Sequence, residues 1–204
     1  MKMKKIITIL VCFCVIMLSV GCEKKIDTSE KRDTLYQVSI INSLLLGNYD
    51  GFVTIGELKK HGDIGIGTFD MLDGEMIVLD GEVYRIDSEG RVIEIEDEVT
   101  TPFAAVTMFD KDTSQKLTGI DNIDTLQKQL DQLITNTDLF YVFRIDAEFD
   151  YIKTRSVPKQ EKPYPILSEV TKNQSIFEYH DVKGTLVVAW CPEYVGGVNI
   201  SGYH

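Results

Sequence analysis

Glu75-Met76-Ile77-Val78-Leu79-Asp80-Gly81-Glu82-Val83-Tyr84-Arg85-Ile86 carries the decision about the fold. Met76 to Leu79 and Glu82 to Ile86 are runs of strand-forming residues on either side of Asp80-Gly81. An Asp-Gly pair tolerates positive φ at both central positions, which a two-residue hairpin turn demands. Arg91 to Ile95 is a third such run, joined to the second through Ser88-Glu89-Gly90. The centre of the chain is therefore expected to be a three-strand antiparallel meander.

Working outward toward the N-terminus, Leu35 to Val38 reads as a short strand. Ile40 to Leu46 is an apolar run stopped by Gly47-Asn48, which reads as a buried helix with a glycine stop. Thr54-Ile55-Gly56-Glu57 fits a capping box, in which the Thr54 hydroxyl and the Glu57 carboxylate exchange bonds with opposite backbone N–H groups. The helix it opens is expected to run to His61-Gly62. That puts His61 near a helix C-terminus, where positive charge is favourable, so its role is structural.

Toward the C-terminus, Asp121 to Asn136 reads as an amphipathic helix with Ile123, Leu126, Leu130, Leu133 and Ile134 on one face. Leu139 to Asp146 and Phe149 to Val157 read as a second hairpin looped at Ala147-Glu148. Strand parity would then set Arg144 and Arg155 on the same face, either as a solvated edge or as an anion site. Pro158, Pro163 and Pro165 mark a connector, followed by a short helix over 165–172. Ile176 to Tyr179, a turn at Lys183-Gly184 and Thr185 to Cys191 complete the regular elements. Strands and helices interleave without clean βαβ repeats, so the fold class is α+β with mixed or antiparallel sheets.

The N-terminus has a three-part pattern. Lys2, Lys4 and Lys5 precede an uninterrupted apolar run from Ile6 to Gly21, and the chain turns charged directly after Cys22. That order is a secretory signal peptide, and the run is shorter than the roughly 20 apolar residues that span a bilayer. Leu18-Ser19-Val20-Gly21-Cys22 also resembles a bacterial lipobox, with Ser19 where Leu is usual. Lipid on Cys22 is favoured over plain cleavage and secretion, and it would anchor the protein to the outer side of the membrane. Residues 1–21 are thus the leader, 22–33 a lipid-anchored charged linker, and 34–204 the folded domain, with a subdomain boundary near residue 158.

Of the four cysteines, only Cys191 lies beyond Cys22, so no internal disulfide is available and a hydrophobic core must hold the domain. The formal net charge is −11, and the leader removes three lysines. An excess of carboxylates argues against nucleic acid as a partner.

Three segments together identify a family. They are Gly65-Ile66-Gly67-Thr68-Phe69-Asp70 with Leu72-Asp73-Gly74-Glu75-Met76, then Arg144-Ile145-Asp146 with Lys153-Thr154-Arg155-Ser156-Val157-Pro158. The third is Lys183-Gly184-Thr185-Leu186, running through Pro192-Glu193-Tyr194-Val195-Gly196-Gly197 to Gly202-Tyr203-His204. In this order and spacing they resemble α-acetolactate decarboxylase, from about Leu35 to the last residue. The resemblance implies two sheet subdomains, the second incomplete here. It implies conversion of (S)-2-acetolactate to (R)-acetoin and carbon dioxide, a step of acetoin and butanediol biosynthesis, with zinc as a Lewis acid. A homodimer is a further expectation.

By the same resemblance Glu75 is the proton-donating acid, Arg155 the arginine that orients the anion, and Thr68 a pocket-lining residue near the metal. His204 matches the first zinc ligand. Taken alone, Glu75 would read as a solvated residue at a hairpin start, Arg155 as an exposed cross-strand partner, and His204 as a tail. Arg144 is expected to form a structural ion pair. The family's later histidines and carboxylate have no counterpart in these residues, and His61 and His180 lie outside the motif. A zinc site takes three or four protein ligands, so the expectation is a chain cut short at its metal-binding end and inactive as it stands. The rival expectation is a lipid-anchored extracytoplasmic binding protein that keeps the fold without the chemistry.

Overall fold

The computed structural model describes residues 33–204. The leader, Cys22 and nearly all of the charged linker lie outside the described residues. Along the chain come β1 (Tyr36–Val38), α1 (Ile41–Leu45), β2 (Val53–Thr54), α2 (Ile55–Leu58) and β3 (Ile64–Thr68). Next are β4 (Glu75–Leu79), β5 (Glu82–Ile86), β6 (Val92–Glu94), β7 (Thr100–Thr101) and β8 (Ala104–Thr107). The last are α3 (Ile123–Asp131), β9 (Tyr141–Ser156), α4 (Leu167–Val170), β10 (Ser175–Cys191) and β11 (Gly202–Tyr203). A six-stranded sheet has the order β1-β8-β3-β4-β5-β6, a three-stranded one the order β11-β10-β9, and β2 pairs with β7. Every ladder between these strands is antiparallel, which gives the expected α+β class.

The meander forms where the sequence placed it. Asp80 and Gly81 sit at φ 54° and 83°, both left-handed, and close the β4–β5 hairpin. Alternation along the strands then sends Met76, Val78 and Val83 into the core with Val38, Ile55, Leu58, Phe69, Ala104 and Val106. Each fully buried side chain of this size stabilises the fold by about 1.5–3 kcal/mol relative to exposure. A second core of Ile41, Leu44, Tyr49, Leu72, Phe103, Val157 and Val170 joins α1 and α4 to the segments that flank the site.

The helices are shorter than their patterns suggested. In α1 only Ile41 and Leu44 are buried, whereas Leu45 and the following Leu46 are exposed, because one turn of helix presents a single stripe. The capping box at α2 is half made. Thr54 Oγ1 accepts from the Glu57 amide at 3.2 Å, but the Glu57 carboxylate turns to Lys60 and His61 instead. His61 stacks face to face on Tyr36 with ring centroids 3.8 Å apart, a packing role. In α3, Asn122 caps the Thr125 amide, and Leu126 and Leu130 carry the buried stripe while Ile123 is exposed.

The expected second hairpin is absent, and so is the turn at Lys183-Gly184. β9 runs unbroken through Ala147-Glu148 and β10 through Lys183-Gly184, and the two form one long ribbon. Ala147 pairs with Gly184 and Glu148 with Lys183, so each expected turn is the other's strand partner. Partnering along all but the Asp150–Asp181 rung satisfies the backbone, and neither dipeptide imposes a bend that would break it. Arg144 pairs with Val187 and Arg155 with Ile176. Eleven residues apart on one strand, the two arginines fall on opposite faces rather than the same one.

Candidate active site

Glu75 opens β4, directly after the Asp73-Gly74 turn, and is partly buried. Three local contacts hold that turn. Thr68, cross-strand partner of Glu75, donates its hydroxyl to the Gly74 carbonyl at 2.7 Å. Arg85 Nη1 donates to Asp73 Oδ2 at 2.6 Å, and Lys159 Nζ lies 3.8 Å from the same oxygen. Gly74 sits at φ 85°, and a Cβ there would lie 2.4 Å from the Ile86 carbonyl oxygen, so no larger residue fits without moving the backbone.

Ile86 is the hub of the site. It is the cross-strand partner of Glu75 in the β4–β5 ladder. Its carbonyl also accepts the Ser156 hydroxyl at 2.7 Å, and Ser156 follows Arg155 at the end of β9. The ribbon is thereby fastened beside the meander, with Arg155 close enough to act on Glu75. Burial pushes the Glu75 carboxyl above its ordinary range, and the Arg155 charge partly opposes that rise. A carboxyl that holds its proton more firmly than usual, within range of the charge of an exposed guanidinium, is suited to donate a proton to a bound anion.

The remaining expected residues stand apart from this pair. Thr68 is buried with its hydroxyl committed to Gly74, which makes it a support of the Glu75 turn. Arg144 pairs with Asp80 at 2.7 Å and Asp146 at 3.5 Å, the structural ion pair expected of it. His204 extends the pairing of β11 with β10, exchanging backbone bonds with Ala189 at 2.7 and 2.9 Å. Its Nε2 lies 3.7 Å from Cys191 Sγ, and its Nδ1 is buried without a partner. Burial pulls the imidazole below its usual value, against a backbone contact at Gly202, and pushes the Cys191 thiol up to about 11.

The family model for alpha-acetolactate decarboxylase matches residues 35–204. The chain belongs to the alpha-acetolactate decarboxylase family. It is 50% identical over 172 residues to the alpha-acetolactate decarboxylase of Methanosarcina mazei, covering 84% of this chain and 60% of that protein. It is 42% identical over 173 residues to that of Brevibacillus brevis, covering 85% of this chain and 61% of the relative. The chain thus spans about three fifths of the length of these two relatives. The crystal structure of the alpha-acetolactate decarboxylase of Bacillus subtilis superposes with a TM-score of 0.79 at 41% identity, covering 83% of this chain and 73% of that one.

Among the described residues, the donor set is too small for the zinc that the family resemblance implies. His204 offers one orphaned imidazole nitrogen, and no group of three or more His, Cys, Asp or Glu side chains is placed to hold an ion. These residues do not by themselves fit a zinc site. The alpha-acetolactate decarboxylase motifs drew attention to Glu75 and Arg155 but not to Asp73, Arg85 or Ser156 as their supports. Arg85 lies 12 residues from its partner and Ser156 lies 70 from its own, separations at which no local pattern operates.

Proposed function

We propose that the protein decarboxylates 2-acetolactate to acetoin, with Glu75 as the acid and Arg155 as the anion-orienting group. What supports this is the raised pKa of partly buried Glu75 beside the Arg155 charge, on a chain whose relatives bear the name of that activity. Arg155 would hold the substrate carboxylate through charge-assisted hydrogen bonds. The C–C bond to that carboxylate breaks, carbon dioxide leaves, and the electron pair stays on the adjoining carbon, delocalised onto the neighbouring ketone oxygen. Glu75 then gives its proton to that carbon, on one face, and is reprotonated from water. Delivery from a fixed side gives the product a single handedness, the (R)-acetoin of this proposal.

Zinc enters the proposal only through His204, and metal content of the purified protein is its test. The address outside the cytoplasm, with lipid on Cys22, rests on the three-part leader, and labelling with a fatty-acid analogue that survives Cys22→Ser would refute it. Pairing into a homodimer rests on the resemblance alone and is checked by sedimentation.

The decisive assay is acetoin formation from racemic 2-acetolactate. Glu75→Gln and Arg155→Ala are each expected to lower the rate roughly 100-fold or more while each variant still melts cooperatively. Parent-like rates in both variants would sink the role assignments. A parent protein that turns nothing over would return the reading to the expected inactive chain, and a cooperative melt beside that result would favour the binding-protein reading.

A further inference from the structure

The Glu75–Arg155 pair is assembled from two sheets that share no ladder. Glu75 belongs to the meander, and Arg155 belongs to the ribbon, in register with Ile176. Arg144 to Asp80 joins the two parts at a distance from the pair, and the contact that joins them beside the pair is made by a residue with no assigned role. Ser156 is fully buried, its cross-strand partner Ser175 continues the ribbon, and its hydroxyl leaves the ribbon to reach the Ile86 carbonyl at 2.7 Å. That carbonyl lies against Gly74 on one side, and Ile86 is the ladder partner of Glu75. A single hydrogen bond therefore ties the residue next to the arginine to the residue opposite the acid.

We propose that Ser156 is a positioning residue that sets the separation of Arg155 from Glu75 through its hydrogen bond to the Ile86 carbonyl. Val157 follows immediately and is anchored in the second core, so the ribbon end is fixed in place by packing. Packing alone leaves a strand free to slide or roll by a fraction of an ångström; a short directional bond restricts both. Arg155 itself is exposed and makes no side-chain hydrogen bond among the described residues, so its placement comes from its backbone. The other charges near Glu75, on Asp73, Arg85 and Lys159, are already engaged with one another at the turn. Arg155 is the charge that acts on Glu75, and the Ser156 bond fixes the backbone that carries it.

This inference rests on the roles given above to Glu75 and Arg155, but its test needs no turnover. The Glu75 carboxyl is titrated by carbon NMR in the full chain labelled at glutamate, its signal assigned by its loss in Glu75→Gln. Arg155→Gln removes the opposing charge and is expected to move the Glu75 midpoint upward. Ser156→Ala should move it in the same direction by a smaller shift, and add nothing further in the Arg155→Gln background. Ser156→Cys, which keeps the volume and weakens the donor, should shift it likewise and serves if the alanine variant fails to fold. An unchanged midpoint in a folded Ser156 variant would overturn the proposal, as would an equal shift with Arg155 already removed. A shifted midpoint in a protein that makes no acetoin would sink the functional reading and leave this one standing.

Discussion

The meander and the ribbon solve the same problem of strand pairing in different ways. The meander is short-range: β4 and β5 meet across Asp80-Gly81, and their inward residues Met76, Val78 and Val83 are almost wholly buried. The ribbon is long-range: β9 and β10 are 16 and 17 residues long, and their middle rungs are largely exposed. Those rungs carry ion pairs such as Glu148–Lys183 and Lys153–Glu178 instead of a core. Burial makes the meander stiff and intolerant of change, whereas the ribbon is held at its ends, by Arg144 to Asp80 and by Ser156 to Ile86. The acid sits on the stiff partner and the arginine on the tethered one.

Substitutions can break or sharpen that contrast. The largest effect is expected from Met76→Ala, which empties a site only 1% exposed in the meander core. Losing a buried methionine costs about 2–5 kcal/mol, read as a fall in the urea midpoint with an unchanged slope. A smaller, pH-dependent effect is expected from Glu75→Gln. The Glu75 pKa is raised in the folded state, so its contribution to stability is full below the unfolded value of about 4.3 and is lost as pH rises through the folded value. Glu75→Gln lacks that loss, so the variant should gain stability relative to the parent between pH 4 and pH 8, measured by urea unfolding at both. A stability of the variant that falls relative to the parent with rising pH would contradict the raised pKa. The smallest effect belongs to the ribbon: Glu148→Ala removes one exposed ion pair and should leave the urea midpoint where it was. A clear drop would show that the middle rungs matter to stability.

The two regions also differ in how far their sequences reveal them. Asp80-Gly81 is a local instruction, complete within four residues, and β4 and β5 follow from it, as β6 follows from Ser88-Glu89-Gly90. Ala147-Glu148 and Lys183-Gly184 gave the opposite result. Both read locally as turns, yet each lies straight across the ladder from the other. The information that keeps them extended is the strand opposite, tens of residues away. The same division runs through the site. Thr68, Glu75 and Arg155 stood out through their motifs, but the hydroxyl of Thr68 turned out to serve the Gly74 carbonyl. The Ser156 bond to Ile86 left no trace in the pattern, because its acceptor is backbone and carries no residue signature.

That last property has a genetic side. The acceptor shared by the two halves of the site is a main-chain oxygen, which all twenty amino acids possess. A codon change at position 86 alters the side chain and leaves the oxygen in the chain. A codon change at position 156 is less forgiving, since few amino acids of that size bring a hydroxyl. Drift can therefore break this particular bond mainly from its serine end.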